Sequence, residues 1–252
     1  MSQVTTRKLR VHDMEMFVEI HDSGEPLLLL HGFTGSSQDW VHAGRDLLAE
    51  HFQLIAVDAR GHGRSTNPLR TLTQRQCALD TLAALDQLGI ERCKAIGMSF
   101  GGNTLLHMAT LDRSRLDSMV LVSATPYFPN QARPIMGSIL PDAQPPEAWD
   151  SMRQRHHGGD DQIQALFDQQ YAFKDSYDDV CFTPPALSRI AARTLIVQGD
   201  RDPLYPLELS LEMYRAIPRA ALAVVPMAGH GPIFVERAAA FARVAVEFLR
   251  AS

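Results

Sequence analysis

"KAIGMSFGGN", Lys94 to Asn103, sets a serine between glycines at Gly97-Met98-Ser99-Phe100-Gly101. The pattern Gly-x-Ser-x-Gly has three fixed positions and arises by chance in roughly one chain of this length in ten. Its meaning depends on what flanks it. Cys93–Met98 is an apolar run of strand length, and Gly101–Leu111 reads as a helix. A serine between the two is the setting of a nucleophile elbow, a sharp turn that holds the residue in a strained backbone conformation above a sheet. Such a turn presses the residues two before and two after the serine together, so both must be small, as Gly97 and Gly101 are. It also places the serine at a helix N-terminus, where backbone N–H groups favour a developing negative charge.

Working outward, the same rhythm recurs. Leu27–Gly32, Phe52–Gly61, Ser118–Ala124, Arg193–Asp200 and Ala220–Pro226 are short, continuous apolar runs ended by turn residues. Runs of that kind suit strands buried on both faces of a parallel sheet. Helical periodicity fills the gaps. Thr73–Leu88 opens with a capping-box pattern, Thr73 followed by Gln76, and stops at Gly89. A last helix sets Phe234, Ala238, Phe241, Ala245 and Phe248 on one face. Strands alternating with helices imply an α/β fold with helices on both faces of a mostly parallel central sheet. "KLRVHDMEMFVEIHDSG" near the N-terminus instead reads as a hairpin turning at His12-Asp13, an antiparallel edge.

Residues 126–192 break the pattern. The segment is proline-rich and irregular, with one amphipathic helix over Asp160–Phe173, and it is too long for a connecting loop. It is expected to be a helical lid inserted into a core made of residues 1–125 and 193–252. The lid's Trp149, Met152, Phe167, Tyr171 and Phe173, with Met136, are candidates for an apolar substrate pocket. His156 and His157 in the same segment read as a solvated loop.

A nucleophilic serine needs a base, and the base needs an orienting carboxylate. Among ten histidines, His230 in "MAGHGP" follows the last expected strand in a glycine-bracketed loop at the sheet's carboxyl edge. For the carboxylate, "GDRDP" offers Asp200 and Asp202; the extra reach favours Asp202, with Asp200 capping the turn. The order Ser99, Asp202, His230 suits this architecture. Oxyanion donors are expected from the N–H of Phe100 and, in the glycine-bearing loop "HGFTGSS", from that of Phe33.

With "HGFTGSSQDW", "DARGHGRS", "GMSFGG", "GDRDP" and "GHGP" in this order, the chain resembles the α/β-hydrolase fold superfamily, in its serine-nucleophile esterase and lactonase branch with a helical cap. The resemblance implies a nucleophile at Ser99, an acid at Asp202, a base at His230, oxyanion donors at Phe33 and Phe100, and no cofactor. "HGFTGSSQDW" also looks like the subgroup that forms a menaquinone precursor by eliminating pyruvate. That subgroup carries an arginine after the double glycine, where this chain has Asn103.

The expectation is thus a serine hydrolase cleaving a small-molecule carboxylic ester or lactone through an acyl-enzyme. The same triad serves carbon–carbon bond hydrolysis, acyl transfer and perhydrolysis, and a retired hydrolase can act as a small-molecule sensor. Composition narrows the field further. A net charge of −5 without a basic cluster speaks against nucleic acid as a partner. Three cysteines without CxxC spacing give neither a disulfide framework nor a metal site. The N-terminus lacks an apolar leader and no long apolar run spans a membrane, so a cytoplasmic location is the expectation.

Overall fold

The computed structural model describes residues 4–21, 23–140, 142 and 144–251. Eight strands form one sheet: β1 (Val4–Val11), β2 (Met14–His21), β3 (Pro26–Leu30), β4 (Gln53–Val57), β5 (Cys93–Met98), β6 (Leu116–Val122), β7 (Arg193–Gly199) and β8 (Ala220–Val225). Their spatial order is β1-β2-β4-β3-β5-β6-β7-β8. The hairpin β1–β2 turns at His12-Asp13 and joins β4 antiparallel, while every pairing from β4 to β8 is parallel.

The apolar runs are continuous because both sheet faces are covered. In β3, Leu28 and Leu30 face one core and Leu27 and Leu29 the other; β4 divides Ile55 and Val57 from Leu54 and Ala56 in the same way. The first core packs under α2 (Gln74–Gln87), α3 (Phe100–Leu111) and α8 (Leu207–Ala216); the second under α1 (Arg45–Ala49) and α9 (Ala238–Arg250). Two expected helices differ in detail. Thr73 caps α2 through Gln76 N–H at 3.0 Å, but the Gln76 side chain turns to Asp80 instead of closing the box. α9 begins only at Ala238, leaving Phe234 outside it, and its buried stripe is Phe241, Ala242, Ala245 and Leu249.

Chain order decides where a site can form. From β3 the chain steps outward to β4, then returns across β3 to β5 and continues the other way. The loops after β3 and β5 therefore part in opposite directions at the carboxyl edge, leaving the crevice where ligands bind in sheets of this kind. Between β6 and β7 the chain forms α4 (Ala132–Ser138), α5 (Pro146–Arg155), α6 (Asp160–Ala172) and α7 (Pro184–Leu187), all from residues 126–192; α4 and α5 pack on α6, and α7 on α8. No helix among the described residues is long and apolar enough to cross a membrane.

Candidate active site

Ser99 is the residue between β5 and α3, with φ of +50° and ψ of −108°. A left-handed φ at a non-glycine residue is a strained conformation that the surroundings must enforce. They do so by close approach. A Cβ on Gly97 would meet the Gly101 carbonyl oxygen at 2.5 Å, and one on Gly101 would run into the Leu30 carbonyl. Backbone bonds lock the turn further: Ser99 N–H donates to the Val122 carbonyl at 2.7 Å, and Asn103 N–H to the Ser99 carbonyl at 2.9 Å.

Three residues far apart in sequence meet here. Ser99 Oγ lies 2.9 Å from His230 Nε2, and His230 Nδ1 lies 2.8 Å from Asp202 Oδ2. With Nδ1 protonated and donating to Asp202, Nε2 keeps a lone pair toward the serine hydroxyl. Asp202 is saturated as an acceptor: Oδ2 also takes Gln198 Nε2 at 2.9 Å, and Oδ1 takes the N–H groups of Leu204 (2.8 Å) and Tyr205 (3.1 Å). Burial alone would raise its pKa, but the bonds to His230, Tyr205 and Leu204 hold it below the ordinary carboxylate value. Asp200 instead accepts the Ala228 N–H at 3.3 Å, bracing the loop that carries His230. On the other side of that loop, Gly231 N–H donates to Ser123 Oγ at 3.1 Å.

The turn after β3 faces the serine. Gly35 N–H bonds the Gly32 carbonyl at 3.0 Å, a turn that leaves the Phe33 N–H outside it. Phe100, first residue of α3, has an N–H with no carbonyl a turn earlier to bond. The two phenyl rings meet edge to face at 5.4 Å. His31 anchors the turn, donating from Nδ1 to the Gly32 carbonyl at 2.7 Å while Nε2 accepts the Ala59 N–H at 3.0 Å.

Above Ser99 is a cavity of about 150 Å³ lined by Phe33, Phe100, Phe128, Met136, Ile139 and Phe173, with Gln74, Gln170 and Tyr205 as its polar groups. None of its described lining residues is Lys or Arg. The substrate candidates read from the lid mostly lie elsewhere. Met152 and Phe167 are buried with Ile163 and Leu166 in a small cluster behind Phe33, Trp149 packs on that cluster, and Tyr171 is exposed beside Lys174. Periodicity marks the buried face of a helix but not what it is buried against, and α6 spends that face on Met152, Trp149, Ile139 and Phe33. Met136 and Phe173 are the candidates that reach the cavity. His157 is exposed as expected, but His156 is buried.

Tyr205, not among the residues expected from sequence, touches the whole constellation. Its N–H caps Asp202, its carbonyl accepts Gln198 Nε2 at 2.8 Å, and its ring stands edge-on to His230 at 5.3 Å. Its hydroxyl faces Ser99 and Asn103, and burial raises its pKa, so it stays protonated. Its place three residues beyond the acid, in the same turn, was the available signal. Asn103 is fully buried and accepts the Thr125 N–H at 2.9 Å, a structural role. In "DARGHGRS", Asp58 pairs with Arg64 within the turn, whereas Arg60 reaches out to Asp13 and Asp80. A larger groove of about 710 Å³ opens between Lys8, residues 61–72 and α6. Its Ser65 hydroxyl accepts the Phe17 N–H and donates to the Asp58 carbonyl, so it is committed to structure.

A family model described as the alpha/beta hydrolase family matches residues 27–244. A 2-hydroxy-6-oxononadienedioate/2-hydroxy-6-oxononatrienedioate hydrolase of Pseudomonas putida is 24% identical, over 98% of this chain and 96% of its own. A putative 2-succinyl-6-hydroxy-2,4-cyclohexadiene-1-carboxylate synthase of Bacillus subtilis is 27% identical, over 90% and 91%. Among solved structures, a serine hydrolase from the polyaromatic hydrocarbon-degrading bacterium Cycloclasticus zankles superposes with a TM-score of 0.80 at 21% identity, covering 98% of both chains.

Proposed function

This chain belongs to the alpha/beta hydrolase family, and on that premise we propose that it is a serine hydrolase cleaving small, uncharged carboxylic esters through an acyl-enzyme on Ser99. The observation that carries the reading is the unbroken line Ser99 Oγ, His230, Asp202, with steps of 2.9 and 2.8 Å, at the floor of an apolar cavity. His230 takes the hydroxyl proton as Oγ attacks the carbonyl carbon. The N–H groups of Phe33 and Phe100 receive the oxyanion, and each such donor is worth about 10²–10³ in kcat. Collapse of the tetrahedral species releases the alcohol, which leaves with the proton from His230. Water then attacks the acyl-enzyme, giving its proton to His230 and returning Ser99 and a carboxylic acid. Asp202 holds the imidazole in the required tautomer throughout. The helices of residues 126–192 act as the lid that excludes bulk water from the ester.

Size and charge support the choice of substrate. A cavity of about 150 Å³ admits a short acyl group, not a fatty chain. The dioate named for the Pseudomonas relative carries two carboxylates, and burying an unpaired charge is costly. That relative nonetheless favours a second reading, hydrolysis of a carbon–carbon bond beside a ketone by the same triad. A panel of p-nitrophenyl esters from acetate to palmitate, run beside a 2-hydroxy-6-oxo-dienedioate, separates the two. The ester reading expects turnover that peaks among the shortest acyl chains and little with the dioate; the reverse order would replace it with the second.

A further inference from the structure

α5 ends on a buried histidine that the chemistry above does not use. His156 is 1% exposed, and its N–H bonds the Met152 carbonyl at 2.8 Å. Its Nδ1 accepts the Gly63 N–H at 2.8 Å, while Nε2 donates to the Thr34 carbonyl at 3.0 Å. One neutral tautomer makes both bonds. Arg155 Nη1 gives the same carbonyl a second donor at 3.2 Å, and its Nε pairs with Asp39 at 3.2 Å. From α6, Gln162 Nε2 reaches the Gly61 carbonyl at 3.0 Å, so this end of the segment is fastened to two core loops.

The carbonyl that His156 holds belongs to a strained residue. Thr34 has a φ of +60°. For a β-branched side chain that region costs roughly 1–2 kcal/mol, so a turn left to itself would relax out of it. Phe33 immediately precedes Thr34, and relaxation would swing the Phe33 N–H. The turn is thus braced at both ends, by His31 on the Gly32 carbonyl and by His156 and Arg155 on that of Thr34. The His156 ring also stands edge-on to His62 at 6.1 Å, and His62 lies against the rings of both Phe33 (5.0 Å) and Phe100 (5.5 Å).

We infer that His156 is a positioning residue for the oxyanion hole, supplied by the helical segment over the site, and that its bond to Thr34 sets the direction of the Phe33 N–H. This rests on Phe33 being an oxyanion donor in the reaction proposed above. A bracket that merely fastened the lid would tune substrate binding; one that aims a donor acts on the transition state.

The test compares wild type with His156→Phe, which keeps a ring against His62 but removes both bonds, and with His156→Gln. Two readouts are needed: kcat and KM on p-nitrophenyl acetate, and the rate at which a fluorophosphonate labels Ser99. The label forms an Oγ–P bond, expels fluoride and passes the serine proton to His230, so it needs the same oxyanion donors without needing the natural substrate. In His156→Phe, kcat and labelling rate should both fall about tenfold, part of the loss seen when such a donor is deleted outright, with KM within about threefold. Adding Thr34→Gly should recover part of the loss, because glycine takes a φ of +60° without restraint. Wild-type kcat in folded His156→Phe, or a rise in KM with labelling unchanged, would overturn the inference. Failure of both His156 variants to fold would assign the residue to stability and overturn it too. Labelling of a residue other than Ser99 in wild type would instead break the reaction on which the inference rests.

Discussion

Ser99, Asp202 and His230 are placed by backbone. The first is pressed into a left-handed turn by two glycines against Leu30 and Gly101 carbonyls, the second is held by two N–H groups of its own turn, and the third sits in a loop tied to Asp200 and Ser123. The segment over them is held differently. Residues 126–192 bury Phe128, Met136, Phe173 and Phe182 in the first core and Met152, Ile163, Leu166 and Phe167 in a small cluster of their own. They reach the loops at residues 34, 61 and 63 mainly through side chains, those of Arg155, His156 and Gln162, beside one backbone bond from His157 N–H to the Gly63 carbonyl. Backbone placement leaves little freedom to move a reacting atom, whereas side-chain links can be retuned by single substitutions. On the proposed reaction, substitutions at the sheet edge should therefore act on chemistry and those in residues 126–192 on the surroundings of the substrate.

The comparison can be pressed hardest at the sheet edge. Asp202→Asn keeps the shape of the turn but favours the wrong imidazole tautomer, and kcat should fall on the order of 10⁴-fold with the fold intact. A loss below about tenfold, measured on a short-chain ester, would mean that the line of hydrogen bonds is not the engine. In α6, Phe167→Ala opens a cavity in the cluster behind Phe33 and should cost about 3–5 kcal/mol by denaturant unfolding. Tyr171→Ala, one turn along the same helix but exposed, should stay within about 0.5 kcal/mol. Equal effects would show that the cluster is not what holds α5 and α6 together.

Acid probes the links between the two regions. Burial and the charges of His31 and Arg155 push His156 from 6.5 down to about 4, against the raising effect of its bond to Thr34 and of Asp58. His62, whose ring it faces, is lowered well below its ordinary value, again by burial first. Between pH 6.5 and about 4 the unfolded chain therefore binds protons that the folded chain refuses, so stability falls as pH drops through that window. Asp202 and Asp58, depressed below 3.8, add losses only at lower pH. Urea unfolding at a series of pH values should show a slope across this range that flattens in His156→Phe. An unchanged slope would mean that His156 is protonated in the folded protein.

Much of the architecture was legible from residue pattern because it depends on local rules. Continuous apolar runs between helices told of a sheet covered on both faces, and glycines two residues either side of Ser99 told of the turn that requires them. The three residues singled out at 99, 202 and 230 are those that the fold brings within hydrogen-bond distance. What could not be read was long-range. Nothing in "RQRHHGGDD" distinguishes His156 from His157, since the end of α5 alone decides which side chain turns inward. Nothing in the spacing of Trp149, Met152, Phe167 and Tyr171 says that they pack on one another or on solvent while Ile139, Gln170 and Phe173 line the cavity.

The central claim is that Ser99 carries the acyl group. Rapid acid quench of the enzyme with p-nitrophenyl acetate, followed by intact-mass measurement and peptide mapping, tests it directly. The account predicts one acetyl adduct, mapped to Ser99, forming with the nitrophenol burst, and no adduct and no turnover in Ser99→Ala. Turnover that persists in Ser99→Ala, or an adduct on any other residue, would contradict it.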